Sequence, residues 1–408
     1  MRQHLLVLLA CVFVAMIGVG ITIPVLPFYV ERLALRAGTS KQSVVMHVTL
    51  LTAVYAFMQL FFAPVWGRLS DRFGRRPLIL VGIAGYVIAQ ILFGLATSLW
   101  LLYAARILGG VLSSATLPVS AAYVADLTDD KERARGMAWL GTAVSLGFVV
   151  GPALGGVVSR APLHITARYG HLMVDSFSIP FFAAAALGAL TLGAAMRWLP
   201  ESLAVKARVV GVNLPAADAG MFANGLGSLL CLAAVAPLGL ALFEATFALY
   251  AREKLNYGLG AISAVFVVCG IVMTVFQIGA VSMFSGRIRE MYQIIVGFAL
   301  MGTSFAFLAL ARDAVTVWIL VGVLALGTSL IAPNLASAIS KRSGTHRVGA
   351  ALGVQNAASS FGQAGGPVLG GALFVWNINA PYLISGALML TVAIVLGWKS
   401  MTARDAHH

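Results

Sequence analysis

Apolar runs of about 20 residues, free of charge or nearly so, recur from one end of this 408-residue chain to the other. Wound as a helix, a run of that length crosses about 30 Å of hydrocarbon. Lipid offers the backbone no hydrogen-bond partner, so a spanning segment must be a helix or a strand of a closed barrel. Barrel strands alternate polar and apolar residues, and these runs do not. Only 10% of the residues are charged and 60% are hydrophobic, against about 25% charged in soluble domains. The expected fold class is an all-α membrane protein.

Twelve transmembrane helices are predicted, at residues 5–29, 44–66, 78–97, 99–125, 135–158, 178–197, 225–250, 259–284, 292–311, 314–337, 348–375 and 380–398. The longest connection follows the sixth and holds Pro200, Glu201, Lys206, Arg208 and Pro215. It divides the chain into an N-terminal six-helix bundle (1–197), a cytoplasmic linker (198–224) and a C-terminal six-helix bundle (225–408). The net charge of +13 does not point to nucleic acid, because the cations sit in short loops and no nucleic-acid motif is present. Of the 27 Lys and Arg residues, 18 fall on the N-terminal side of the membrane and 8 on the other, with Arg106 inside the fourth span. Loop cations are retained in the cytoplasm. Both termini are therefore expected there, in a multi-pass protein of the cytoplasmic (inner) membrane. The run Leu5–Tyr29 is too long for the apolar core of a signal peptide and reads as a retained span. Cys11, Cys231 and Cys269 lie scattered in apolar runs; they imply no disulfide framework or metal site and read as small core residues.

The two sets of six spans resemble each other. Residues 145–156 (SLGFVVGPALGG) match 360–371 (SFGQAGGPVLGG) at 7 of 12 positions. Pro118 and Pro333 share the same offset, and Tyr29 pairs with Tyr250. Six spans per copy make the repeats parallel, related by an axis along the membrane normal. Such halves can rock about a midplane site, which points to a transporter.

Residues 67–76 (GRLSDRFGRR) put four arginines and an aspartate between spans 2 and 3. So charged a stretch is expected as a tight turn at a membrane face. With Gly67, Asp71, Arg72, Gly74, Arg75 and Arg76 it resembles the loop signature of the major facilitator superfamily. In span 5, Gly147, Gly151, Pro152, Gly155 and Gly156 are similar to the antiporter signature of drug/proton exporters in that family. The first span's Gly18–Pro27 segment resembles that of tetracycline-type and multidrug exporters. Two positions depart from the group: Ala15 stands where an acid is common, and Gly109 where the span-4 pattern has Gln. The resemblance covers all twelve spans and implies the major facilitator fold, with the 67–76 loop acting as a gate. Asp71 is expected to accept from an arginine or to cap a helix across the interface between halves.

Gly147, Gly151 and Gly155 recur every four residues and share one helix face, where another backbone can approach closely. Pro152 bends that helix. The face is expected to pack tightly and to seal against the other half, with a copy at Gly362, Gly366 and Pro367. Arg106 is a cation well inside a span, and such residues face the interior and pair with something. It reads either as a hydrogen-bonding post or as a coupling residue that meets a carboxylate or an anionic substrate. Among fourteen acids, Glu244 is the one within a span. It reads as the proton carrier, against the simpler reading of a glutamate bonded to Thr246 or water. Candidate cavity residues are Met16, Tyr55, Met58, Gln59, Phe243, Phe247, Met273, Phe276, Gln277, Asn334, Gln355 and Asn356, with Gln90 a further polar group inside a span. Met and Phe walls adapt to varied apolar ligands.

These features, with the resemblance, lead to the expectation of a monomeric, proton-coupled exporter of small lipophilic or amphipathic compounds. Its partners would be substrate, protons and membrane lipids, with no cofactor and no nucleic acid. A transporter of a narrower natural cargo, such as a siderophore, sugar or lysolipid, is the alternative. A membrane-embedded enzyme or receptor is disfavoured, because the spans carry no cluster of His, Asp, Glu or Ser at ligand spacing.

Overall fold

A computed structural model of the chain describes residues 2–36, 40–128, 130–160, 167–169, 172–174, 177–202, 226–284, 289–342 and 348–405. The apolar runs are helices: α1 (Arg2–Arg36), α2 (Lys41–Phe73), α3 (Arg75–Gly94), α4 (Leu99–Ser113), α5 (Thr116–Leu127), α6 (Asp130–Arg160) and α7 (Ile179–Trp198). The second set is α8 (Leu226–Leu255), α9 (Leu259–Phe284), α10 (Glu290–Leu308), α11 (Ala314–Arg342), α12 (Val348–Trp376) and α13 (Ala380–Asp405). Because α4 and α5 form one span, Leu99–Leu127, these make twelve spanning segments. Among the described residues, 11 segments are long and apolar enough to cross a membrane. The remaining one, α12, is of similar length but diluted by Gln355, Asn356, Ser359, Ser360 and Gln363.

Local chemistry sets the helix ends. Ser40 and Ser98 cap α2 and α4, each accepting from a backbone amide three residues on at 3.4 Å. Basic residues close α2, α7 and α11, where the helix dipole favours cations. Two features were not expected. The fourth span is interrupted at Ser114–Ala115. The connection after α6 holds a short antiparallel hairpin, β1 (Ala167–Tyr169) with β2 (Leu172–Val174). The predicted linker is described only as far as Ser202.

The chain groups into two compact units, Met1–Val212 with Asn256–Val267, and Asn213–Leu255 with Val268–His408. The same internal plan serves both. In the first, α1 packs on α6; in the second, α8 packs on α12. Tyr29, near the end of α1, lies 2.7 Å from the Phe93 carbonyl and 3.0 Å from that of Ala96, at the end of α3. Its counterpart Tyr250 donates to the Leu308 carbonyl at the end of α10, at 2.8 Å. A cation covers each ring: Arg32 over Tyr29 at 4.6 Å and Lys254 over Tyr250 at 5.0 Å. The first core gathers Leu8, Cys11, Ile79, Ile83, Tyr123 and Val124; the second is aromatic, with Phe243, Phe247, Phe305 and Tyr382 fully buried. Cys11 and Cys269 are buried as expected, whereas Cys231 is exposed. Leu190, Ile394 and Phe307 are among the large apolar side chains on the surface, as contact with lipid tails requires.

Candidate functional site

The charged stretch at 67–76 is helical where a turn was expected. α2 continues through Asp71 to Phe73, and the whole reversal falls on Gly74, whose φ of 105° a side chain would strain. Asp71 pairs with Arg75 inside the same stretch, at 2.5 Å. The Arg75 guanidinium also reaches Asp126 at 3.1 Å and the Ser70 hydroxyl at 2.6 Å. The first amides of α3 are capped by Glu201, not by Asp71: the Arg75 and Arg76 N–H groups donate to its two carboxylate oxygens at 2.8 and 3.2 Å. Arg76 donates to the Met196 carbonyl at 2.7 Å, while Arg72 lies over the Phe73 ring at 5.5 Å and Arg68 is exposed. Sequence reasoning missed Glu201 and Asp126. Their signal was slight: Glu201 lies in the Pro200-Glu201-Ser202 step just past span 6, and Asp126 at the end of span 4.

The glycine face of α6 lies against α1. A Cβ on Gly147 would come within 2.4 Å of the Met16 Cβ. One on Gly151 would come within 2.6 Å of the Ile17 carbonyl and 2.7 Å of the Gly20 Cα. Gly155 faces Val25 more loosely. Gly156 is the member that meets another element: its Cβ would lie 2.6 Å from the Ser263 Cβ of α9, within the first unit. The second unit repeats the device. Gly362 and Gly366 face the Ala234 and Leu238 carbonyls of α8, and Pro367 falls where Pro152 stands.

Arg106 on α4 is 8% exposed. Its guanidinium lies over the rings of Tyr55 and Phe93, at 5.2 and 5.1 Å. It lines a cavity of about 30 Å³ with Tyr55, Tyr86, Gln90 and Ser113. The Tyr55 hydroxyl meets Ser113 Oγ at 3.2 Å and accepts from Gln59 at 3.1 Å. Ser113 reaches back to the Gly109 carbonyl at 2.5 Å. A Cβ on Gly109 would sit 3.0 Å from that of Ala89, so the departure to glycine serves a close approach of α3 and α4.

Glu244 is partly buried on α8. It makes no hydrogen bond or ion pair with a described residue, and Cys269 on α9 lies within its electrostatic reach. The Thr246 hydroxyl donates instead to the Leu242 carbonyl at 2.8 Å and meets the Tyr382 hydroxyl at 3.2 Å, so Thr246 is not its partner. Phe243 and Phe247 lie with ring centroids 4.8 Å apart, tilted by 33°, and are fully buried. Both belong to the aromatic core of the second unit. Met16 packs beside the first core and Met58 against Gly110. Asn334 donates to Gln293 at 3.1 Å; Met273 and Gln355 are half-buried, Phe276 and Asn356 exposed. The Gln277 side chain lies outside those described.

Twelve spanning helices in two alike sets, with an arginine and a glutamate inside the spans, define a multi-pass membrane transporter. The profile of the Major Facilitator Superfamily matches residues 8–364 and 229–407. The chain belongs to that superfamily, a family of transporters and not of enzymes. It is 29% identical over 405 residues to Multidrug resistance protein 2 of Bacillus subtilis, covering 97% of this chain and 94% of that protein. Multidrug resistance protein 1 of the same organism is 30% identical over 402 residues, with 97% and 96% covered. The crystal structure of the human organic anion transporter MFSD10 (TETRAN) superposes with a TM-score of 0.70 at 22% identity, over 97% of this chain and 99% of that one. At that identity the likeness speaks for the fold.

Proposed function

We propose that the chain is a proton-coupled antiporter that exports small lipophilic or amphipathic compounds across the cytoplasmic membrane by alternating access. The observation that carries the reading is Glu244, an acid inside a span with no bonded partner among the described residues. Low dielectric penalises a charged carboxylate, so such a group can take up and release protons as its surroundings change. Support comes from similarity to two proteins named for multidrug resistance over nearly the full length of all three chains. Arg106 would take part in coupling from the N-terminal bundle (1–197), and Glu244 from the C-terminal bundle (225–408), with 198–224 as a cytoplasmic linker and both termini inside. The 67–76 stretch, held by Asp71, Arg75, Asp126 and Glu201, would act as the inner gate. The α6 glycines would hold α1 and α6 as one rigid body during rocking.

The test is transport by the purified protein in proteoliposomes with an imposed pH gradient, across a panel of chemically varied amphipathic compounds. Outward flux of several unlike compounds that collapses with a protonophore is expected. Flux of a single polar metabolite, or flux indifferent to the gradient, overturns the proposal.

A further inference from the structure

The buried guanidinium of Arg106 is chemically unfinished. It donates no hydrogen bond to any described residue and has no ion-pair partner among them; its Nε is both buried and unpartnered. Among the described residues, two aromatic faces lie against it, those of Tyr55 and Phe93. A cation this deep in a membrane protein needs more than that. The cavity it lines contains no acidic residue. On the same cavity, the Tyr86 hydroxyl, 4% exposed, has the Gln90 amide and the Gly18 backbone as neighbours and makes a hydrogen bond of good geometry to neither. The Gln90 amide, 6% exposed, lies beside it. Donors thus converge on one small space from α3 and α4, with no acidic side chain among the described residues that line it. The volume of about 30 Å³ holds a water or a small anionic group, not a whole cargo molecule.

We propose that Arg106, with the Tyr86 hydroxyl and the Gln90 amide, forms a subsite for the carboxylate of a transported amphipathic cargo. The inference rests on the transport reading and narrows the substrate class to molecules with an apolar body and a small anionic head. Arginine suits the task because its planar fork meets both carboxylate oxygens. Neutral analogues of the same shape would leave the donors unpaired, and a site built to bond a group rejects a ligand lacking it.

The experiment is equilibrium binding of pyrenebutyrate and of its neutral amide to the full chain in phosphatidylcholine nanodiscs, read by fluorescence. The wild type is expected to prefer the carboxylate by about tenfold or more, the size of one charge-assisted hydrogen bond. Arg106→Gln is expected to remove that preference and to leave amide binding within about threefold. Tyr86→Phe and Gln90→Leu, which keep the cation, are expected to reduce it by about threefold each and stand in should Arg106→Gln fail to fold. Chloride added in excess should leave the preference in place; if chloride abolishes it, the subsite serves free inorganic anions and the cargo assignment falls. Equal binding of the two probes by the wild type, or a preference that survives Arg106→Gln, overturns the proposal. A carboxylate preference without pH-driven flux would sink the exporter reading alone. Such flux without the preference would sink this subsite alone.

Discussion

Gly151→Ala adds one methyl group where the backbone of α1 comes closest to the glycine face of α6. Its Cβ would lie 2.6 Å from the Ile17 carbonyl oxygen, 2.7 Å from the Gly20 Cα and 2.9 Å from the Gly20 carbonyl carbon. All three are backbone atoms, so no side chain can swing aside. Ordinary contact begins near 3.4 Å, and the helices must therefore separate by roughly 0.7 Å, thinning the packing along the seam. Overpacking of this kind costs about 1–3 kcal/mol, and the better helix propensity of alanine returns up to ~1 kcal/mol. Gly141→Ala is the internal control. It lies on the same helix with nothing within 4 Å of its Cβ position, and is expected to stabilise by about 0.5–1 kcal/mol. The two variants should thus differ by roughly 2 kcal/mol, read as a lower unfolding midpoint for Gly151→Ala in the same detergent. Gly151→Leu should abolish transport while still reaching the membrane. Equal midpoints for the two alanine variants would refute the close-packed seam.

Three further outcomes follow from the geometry. Glu201→Gln keeps the shape of the α3 cap but loses its charge and should lower stability by about 0.3–1 kcal/mol, seen as a reduced thermal midpoint that high salt narrows. Tyr29→Phe and Tyr250→Phe each orphan buried carbonyls and should cost about 1 kcal/mol apiece. Because they lie in separate units, the double variant should show the sum. Asp313, between α10 and α11, is held below the usual carboxylate range by the Thr316 hydroxyl and then by the Thr316 amide. A depressed folded value means the cap is fully present above the ordinary aspartate range and is lost as pH falls through it. Amide exchange at the start of α11 should therefore quicken in acid, and Asp313→Ala should remove that pH dependence.

The spans and their duplication were legible because the bilayer imposes one length and one hydrogen-bonding solution, and because the glycine, proline and tyrosine positions recur in both sets. Arg106 and Glu244 stood out for the same reason, as charges where charge is costly. The faces of the helices were not legible. α8 is apolar on nearly every side, so nothing in its pattern told Phe243 and Phe247, which fill the core, from residues lining a cavity. The α6 glycines announced a close approach without naming its partner, and α1 takes that place for Gly147, Gly151 and Gly155. In 67–76, four arginines read as a turn, yet helix-compatible residues run to Phe73 and one glycine suffices for the reversal. Glu201 escaped notice because its partners lie 126 and 125 residues away.

The central claim is that Glu244 carries the coupled proton. Its most direct test is substrate-triggered proton movement in proteoliposomes loaded with a pH-sensitive dye, comparing wild type with Glu244→Gln. The account predicts a pH change on adding substrate to the wild type and none for the variant, while exchange of labelled for unlabelled substrate continues in both. A variant that still moves protons with substrate would contradict it.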